Sequence, residues 1–257
     1  MLGAIAGDVI GSAWEGSGEK RYDFPLFSEY SRYTDDTVMT AAVAHALLEC
    51  CGYAEAMRLF GRRYPFAGYG GHFERWLIDT TMGPYNSYGN GGAMRASPIG
   101  HAVRSAEEAL AEAERCAAPT HNHPEGVKGA QSVALAVFLA RSGASKAAIR
   151  REIEVRMGYD LSRTVDAIRP GYAFSVEAAR SVPEAITCFL GAGDFEGAVR
   201  NAVSLGGDTD TMACIAGAIA EAFWGEVPEA IAGEVHARLP GEFLELLARF
   251  RVRHMSG

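Results

Sequence analysis

Residues 212–224 read MACIAGAIAEAFW, thirteen positions at which Glu221 is the sole charge. A helix with no polar face cannot lie against water, so this stretch belongs at the centre of the molecule with other elements wrapped round it. Immediately before it stands Gly206-Gly207-Asp208-Thr209-Asp210-Thr211, two carboxylates one residue apart and then a hydroxyl. The glycines let the backbone turn tightly there. Such a donor set suits a hard divalent cation, which takes oxygen ligands. Asp and Thr are also ordinary helix-capping residues, and acids near a helix start are favoured by its dipole. Taken alone, the loop fits either role.

The segments available to wrap such a core are helical as well. They cover residues 37–51, 54–64, 72–79, 105–117, 127–142, 146–157, 177–190, 195–204, 227–239 and 242–252, many of them parted by Gly- or Pro-containing turns. Sustained period-two alternation is missing, as are internal repeats, so an all-α fold is expected. With 257 residues, 48% of them hydrophobic, the chain can bury a sizeable core in one domain spanning 1–257. Near the start, Gly3, Gly7 and Gly11 fall four apart on one helical face and invite close approach by a second helix. Asp8 lies on that otherwise apolar helix and needs a partner, because an unpaired buried charge is costly. Glu15 falls where the helix ends. Residues 16–33 and 159–174 have no clear period and read as irregular, the first being a long loop of the kind that covers sites.

A formal net charge of −8 and a sequence pI near 5.4, without a basic stripe, argue against general nucleic-acid binding. No apolar run reaches membrane-spanning length, and the N-terminal stretch carries Asp8 and no basic lead. A cytoplasmic location without membrane attachment is the resulting expectation. Cys50, Cys51, Cys116, Cys188 and Cys214 form no CxxC pair and are read as buried, reduced thiols.

A second acidic stretch, Thr34-Asp35-Asp36-Thr37, also stands directly before an apolar helical run. If the two runs are neighbours, four carboxylates and several hydroxyls meet at their ends. Unneutralised, such a cluster would force protonation of at least one acid. Divalent cations relieve the repulsion. All-oxygen donors favour Mg²⁺ or Mn²⁺ over zinc, and four acids suffice for two ions at the ~3.5–4 Å spacing of binuclear sites. The pairing of the two stretches raises metal binding above capping.

Three other features bear on ligands. The run Gly89-Asn90-Gly91-Gly92-Ala93-Met94-Arg95 is a Gly/Asn loop opening a helix, where free amides can hold phosphate or ribose oxygens; Asn-Gly is equally a common turn pair. His121 and His123 lack the Cys and His partners of a zinc site, and the loop is read as touching a ligand. His45, inside an apolar run, is read as a core histidine.

Taken in order, Gly7-Asp8-Val9-Ile10-Gly11 with Glu15, Thr34-Asp35-Asp36-Thr37, Gly89-Asn90-Gly91-Gly92-Ala93-Met94-Arg95, Thr120-His121 and Gly207-Asp208-Thr209-Asp210-Thr211 resemble the ADP-ribosylglycohydrolase family across nearly the whole chain. That family includes dinitrogenase-reductase-activating glycohydrolase and the ADP-ribosyl-acceptor hydrolases. The resemblance implies an orthogonal helical bundle with a binuclear Mg²⁺ centre between helix ends. It implies cleavage of the N- or O-glycosidic bond joining ADP-ribose to a protein side chain or small-molecule acceptor. Thr34, Asp35, Asp36, Asp208, Asp210 and Thr211 match the family's metal ligands, and Gly89, Asn90, Gly91, Gly92, Ala93 and Met94 match the segment lining phosphates and ribose. His121 matches a ligand-contacting histidine, and Glu15 the acidic residue by the catalytic flap. His123-Pro124 departs from the pattern. Glycoside cleavage passes through an oxocarbenium-like state that needs a proton moved and a ribose held; Glu15 and Asp208 are the residues expected to act there. A catalytically silent ADP-ribose-binding relative is the alternative, and a metal-dependent phosphohydrolase a third reading.

Overall fold

Helix α13, Thr209–Trp224, is the axis of the molecule: every residue from Thr209 to Glu221 is buried. Its closest companion is α1, Leu2–Gly11, buried from Gly3 onward. The two backbones nearly touch. A Cβ on Gly3 would stand 2.4 Å from the Gly217 carbonyl oxygen, on Gly7 2.0 Å from that of Ala213, and on Gly11 2.3 Å from that of Thr209. Rising numbers on α1 meet falling numbers on α13, so the helices run antiparallel and the end of α1 arrives at the start of α13. Glu221, the one charged residue of the axial helix beyond Asp210 in its first turn, accepts the Gly3 amide at 2.8 Å.

The computed structural model describes residues 1–255, and among them one isolated antiparallel bridge, Gly89 to Glu177, is the only β pairing. Around the axis pack α8 (Pro124–Arg141), α11 (Ala178–Leu190) and α12 (Phe195–Val203). A second group gathers on α2 (Asp35–Glu49): α3 (Tyr53–Arg63), α6 (Ser97–Ala102) and α15 (Gly241–His254). The rest attach to these: α4 (Gly71–Ile78) to α3, α7 (Ala106–Ala117) and α9 (Lys146–Met157) to α8, and α14 (Glu229–His236) to α1. Short helices α5 (Gly91–Met94) and α10 (Val165–Ile168) complete the set. Local chemistry sets many of the boundaries. Ser105, Ser145 and Asp194 cap their helices onto the amides of Glu108, Ala148 and Gly197, and left-handed Gly158 and Gly225 stop α9 and α13. No helix among the described residues is long and apolar enough to cross a membrane.

The all-α expectation holds, with local corrections. Asp35 and Asp36 lie inside the first turn of α2, not in a loop before it, because Thr34 is the cap and its hydroxyl accepts the Asp36 amide at 3.3 Å. The sequence carries no signal for helix α6, whose six residues are too few to show a period. Residues 159–174 contain α10 and a 3₁₀ turn, Arg169–Gly171, nucleated by the Thr164 cap and the buried Val165 and Ile168. All five cysteines are free, but Cys50 is exposed and Cys51 half-buried, since α2 has ended and Cys50 turns out in a left-handed conformation. His45 is half-buried against Phe60, ring centroids 5.3 Å apart, as a packing residue would be.

Candidate metal and ligand site

The glycine-spaced contact of α1 with α13 delivers the chain just beyond α1 to the acidic end of α13. There Glu15, Asp208 and Asp210 each offer a carboxylate oxygen within 4.8 Å of the others, an exposed glutamate over two buried aspartates. The Thr209 hydroxyl ties the junction by donating to the Gly11 carbonyl at 2.8 Å. Lys20 fastens the following loop, donating to the Tyr172 carbonyl at 2.6 Å and to that of Leu205.

The second acidic stretch arrives through Asp8. Fully buried, its carboxylate accepts the Thr34 amide at 2.9 Å, the Thr34 hydroxyl at 2.7 Å, the Thr37 amide at 3.1 Å and the Thr37 hydroxyl. The first turn of α2 is thereby docked onto α1. From α13 the Thr211 hydroxyl donates to Asp36 Oδ2 at 3.3 Å, closing the triangle of helices. Asp8 is therefore the residue that assembles the site. Its need for a partner was legible in the sequence; its place beneath the cluster was not.

Electrostatics reports the crowding. Burial, and then the charge of Asp210, pushes Asp8 up to about 7. The same two causes, in that order, drive Asp35 and Asp36 upward, and burial followed by Asp208 drives Asp210 upward. Asp208 is raised by burial, with the hydrogen bond from Asn90 working against the rise. Asp36 Oδ1 is buried with no hydrogen-bond partner. A dry carboxylate oxygen among mutually repelling acids is a site short of positive charge, and the donors are all oxygen, so a hard divalent cation fits. Capping does not account for Asp208: it occupies the N-cap position of α13 but makes no capping bond.

The carboxylate of Asp208 instead accepts the Asn90 amide group at 2.8 Å, and Asn90 also reaches the Ser181 hydroxyl at 3.2 Å. Asn90 thus turns toward the acids. Ala93 and Met94 are buried, with the Met94 carbonyl accepting from Thr40 and Cys214, both at 3.4 Å. Gly89 and Gly91 stay half-exposed beside His121, whose Nε2 would lie 2.9 Å from a Cβ on Gly91. A side chain there would fill the cradle. His121 and His123 join no metal-competent cluster among the described residues; His123 caps α8, its ring accepting the Glu125 amide at 3.1 Å.

The family profile of ADP-ribosylglycohydrolase matches residues 1–256, and the chain belongs to that family. It is 31% identical to the ADP-ribosylhydrolase ARH3 of Bos taurus over 313 residues, covering 89% of this chain and 85% of that one. The Mus musculus ADP-ribosylhydrolase ARH3 is 29% identical, covering 89% and 84%. An uncharacterized protein of Archaeoglobus fulgidus is 27% identical across 96% of this chain and 93% of its own. Among solved structures, an ADP-ribosylglycohydrolase-related protein complex superposes with a TM-score of 0.75 at 26% identity, covering 99% of this chain and 97% of that one.

Proposed function

We propose that this protein is a Mg²⁺-dependent hydrolase that cleaves the glycosidic bond between ADP-ribose and an acceptor, reversing ADP-ribosylation. The observation that carries the reading is the convergence of Glu15, Asp208 and Asp210 at the junction of α1 and α13, in a chain of the ADP-ribosylglycohydrolase family. The similarity to the ADP-ribosylhydrolases supports the substrate class.

Asp35, Asp36, Asp208 and Asp210, with the hydroxyls of Thr34 and Thr211, would hold two ions, Mg²⁺ or the similar Mn²⁺. When bound, such ions bind ribose hydroxyls and lower the pKa of a coordinated water. Asp208, braced by Asn90, and Asp210 fix where the ribose sits. Glu15 moves the proton: its carboxylate is exposed at the edge of the cluster, where it can reach the leaving atom of the acceptor or an attacking water. Gly89 and Gly91, with His121 beside them, line the place for the rest of ADP-ribose.

The test is a panel of defined ADP-ribosylated acceptors incubated with Mg²⁺ or with EDTA. Release of free ADP-ribose in Mg²⁺ and its loss in EDTA are expected. Binding of ADP-ribose with no release from any acceptor would replace the reading by a silent binding protein, and AMP as product by a phosphohydrolase.

A further inference from the structure

Behind the glycine cradle lies a cation that the chemistry above does not use. Arg95, directly after α5, is 1% exposed. Among the described residues its guanidinium donates to the Cys116 carbonyl at 3.2 Å and to Thr120 Oγ1 at 2.8 Å, no carboxylate pairs with it, and its Nε is buried without a partner. A guanidinium buried without a counter-ion is strongly unfavourable unless something anionic completes its surroundings.

The contacts run onward. Thr120, fully buried, stands 2.8 Å from His121 Nδ1 through the same oxygen that takes the proton of Arg95. Arginine can only donate, and a threonine hydroxyl has a single proton to give. The Thr120 oxygen could accept twice, but among the described residues Nδ1 is the one acceptor within hydrogen-bond reach of its proton, and an Nδ1–H ring would leave that buried hydroxyl proton unpaired. Pairing that proton makes Nδ1 the acceptor, which gives a neutral imidazole with its own proton on Nε2. Nε2 is the nitrogen facing Gly91. Burial, and then the charge of Arg95, holds His121 well below the usual histidine range, in agreement with a neutral ring.

We propose that Arg95 and Thr120 are positioning residues that lock His121 as the neutral Nε2–H tautomer, aimed as a donor into the cradle at Gly89 and Gly91. The group it meets is an acceptor-only anion, the diphosphate of the ligand. The buried charge of Arg95 lies one hydroxyl and one ring behind it and supplies the field that favours that anion. The identity of the ligand rests on the hydrolase reading; the tautomer does not.

¹⁵N-histidine NMR of the whole protein reads the tautomer directly, with His121 assigned by His121→Gln. Wild type is expected to show a neutral ring protonated at Nε2. Thr120→Val keeps the shape and removes the hydroxyl, so the ring becomes a tautomer mixture and calorimetric affinity for free ADP-ribose falls in proportion to the Nε2–H fraction that remains, about twofold for an even mixture. Thr120→Ser restores both, which mere packing damage would not. An Nδ1–H ring or an imidazolium in wild type overturns the lock, as does Thr120→Val with a wild-type His121 signal and affinity. Arg95→Met removes the charge and is expected to weaken ADP-ribose more than adenosine; circular dichroism verifies that it folds, and equal losses for both ligands overturn the role of the field. If wild type binds no ADP-ribose, the hydrolase reading is what fails, and the His121 tautomer still decides the relay.

Discussion

Asp208 occupies a capping position without a side-chain capping bond, which leaves its carboxylate available to the proposed site. One carboxylate oxygen is held by Asn90 at 2.8 Å, and the group offers an oxygen within 4.8 Å of those of Glu15 and Asp210. Removing the group and removing its brace should therefore differ in degree. Asp208→Ala is expected to lose metal binding and turnover together; retained turnover without metal binding would sink the mechanism. Asn90→Ala leaves the carboxylate in place but unbraced, and should cost about 10–100-fold in metal affinity or activity, the range for outer partners of metal ligands. Calorimetry with Mn²⁺ beside an ADP-ribose release assay checks both.

At the scale of the element, the pairing of α1 with α13 links packing to chemistry. The helices approach until carbonyl oxygens of one occupy the space where Cβ atoms of the other would be, and Gly217 returns the favour by making room for the Gly3 carbonyl, 2.3 Å from its own would-be Cβ. Gly7→Ala must push the helices apart. Overpacking of this kind typically destabilises by ~1–3 kcal/mol, and the displacement moves Glu15 away from Asp208. The expected result is a lower Tm together with weakened metal binding, although Gly7 touches no metal-site oxygen. A Gly7→Ala protein with wild-type Tm would show that the interface is looser than described.

For the whole molecule, the crowded acids make stability depend on pH in a particular direction. Asp8, Asp35, Asp36, Asp208 and Asp210 all have folded-state values raised above the ordinary aspartate value of 3.8, with Asp8 at about 7. A raised carboxyl binds its proton more readily folded than unfolded. Its contribution to stability is thus present below about pH 4 and is lost as pH climbs through its folded value. On the proposed reading, divalent cations would take the place of the missing protons. The rise in Tm on changing from EDTA to Mg²⁺ should be larger at pH 8 than at pH 5 by at least about 3 °C, since ~1 kcal/mol moves a chain of this size by a few degrees. Scanning calorimetry at the two pH values decides it, and an equal rise at both would remove the cluster as the binding site.

Much of this is legible in the sequence. The apolar run of α13 and the period of the larger helices are properties of residues within one or two turns of each other, so the sequence alone determines that the fold is all-α. The ordered motifs likewise pointed to the family and to the acidic stretches. Short α6 and the turn at Arg169–Gly171 lay below that resolution because too few residues carry their pattern. What only the tertiary structure decided is which atoms meet. Glu15 reaches Asp208 because two glycine-lined helices run antiparallel, Asp8 finds its partners 26 and 29 residues away, and Arg95 finds Thr120 25 residues away. Sequence shows that Asp8 needs a partner and that glycines invite an approach. The partner, and the side from which it comes, depend on how helices far apart in the chain cross, and that is settled by packing the whole core at once.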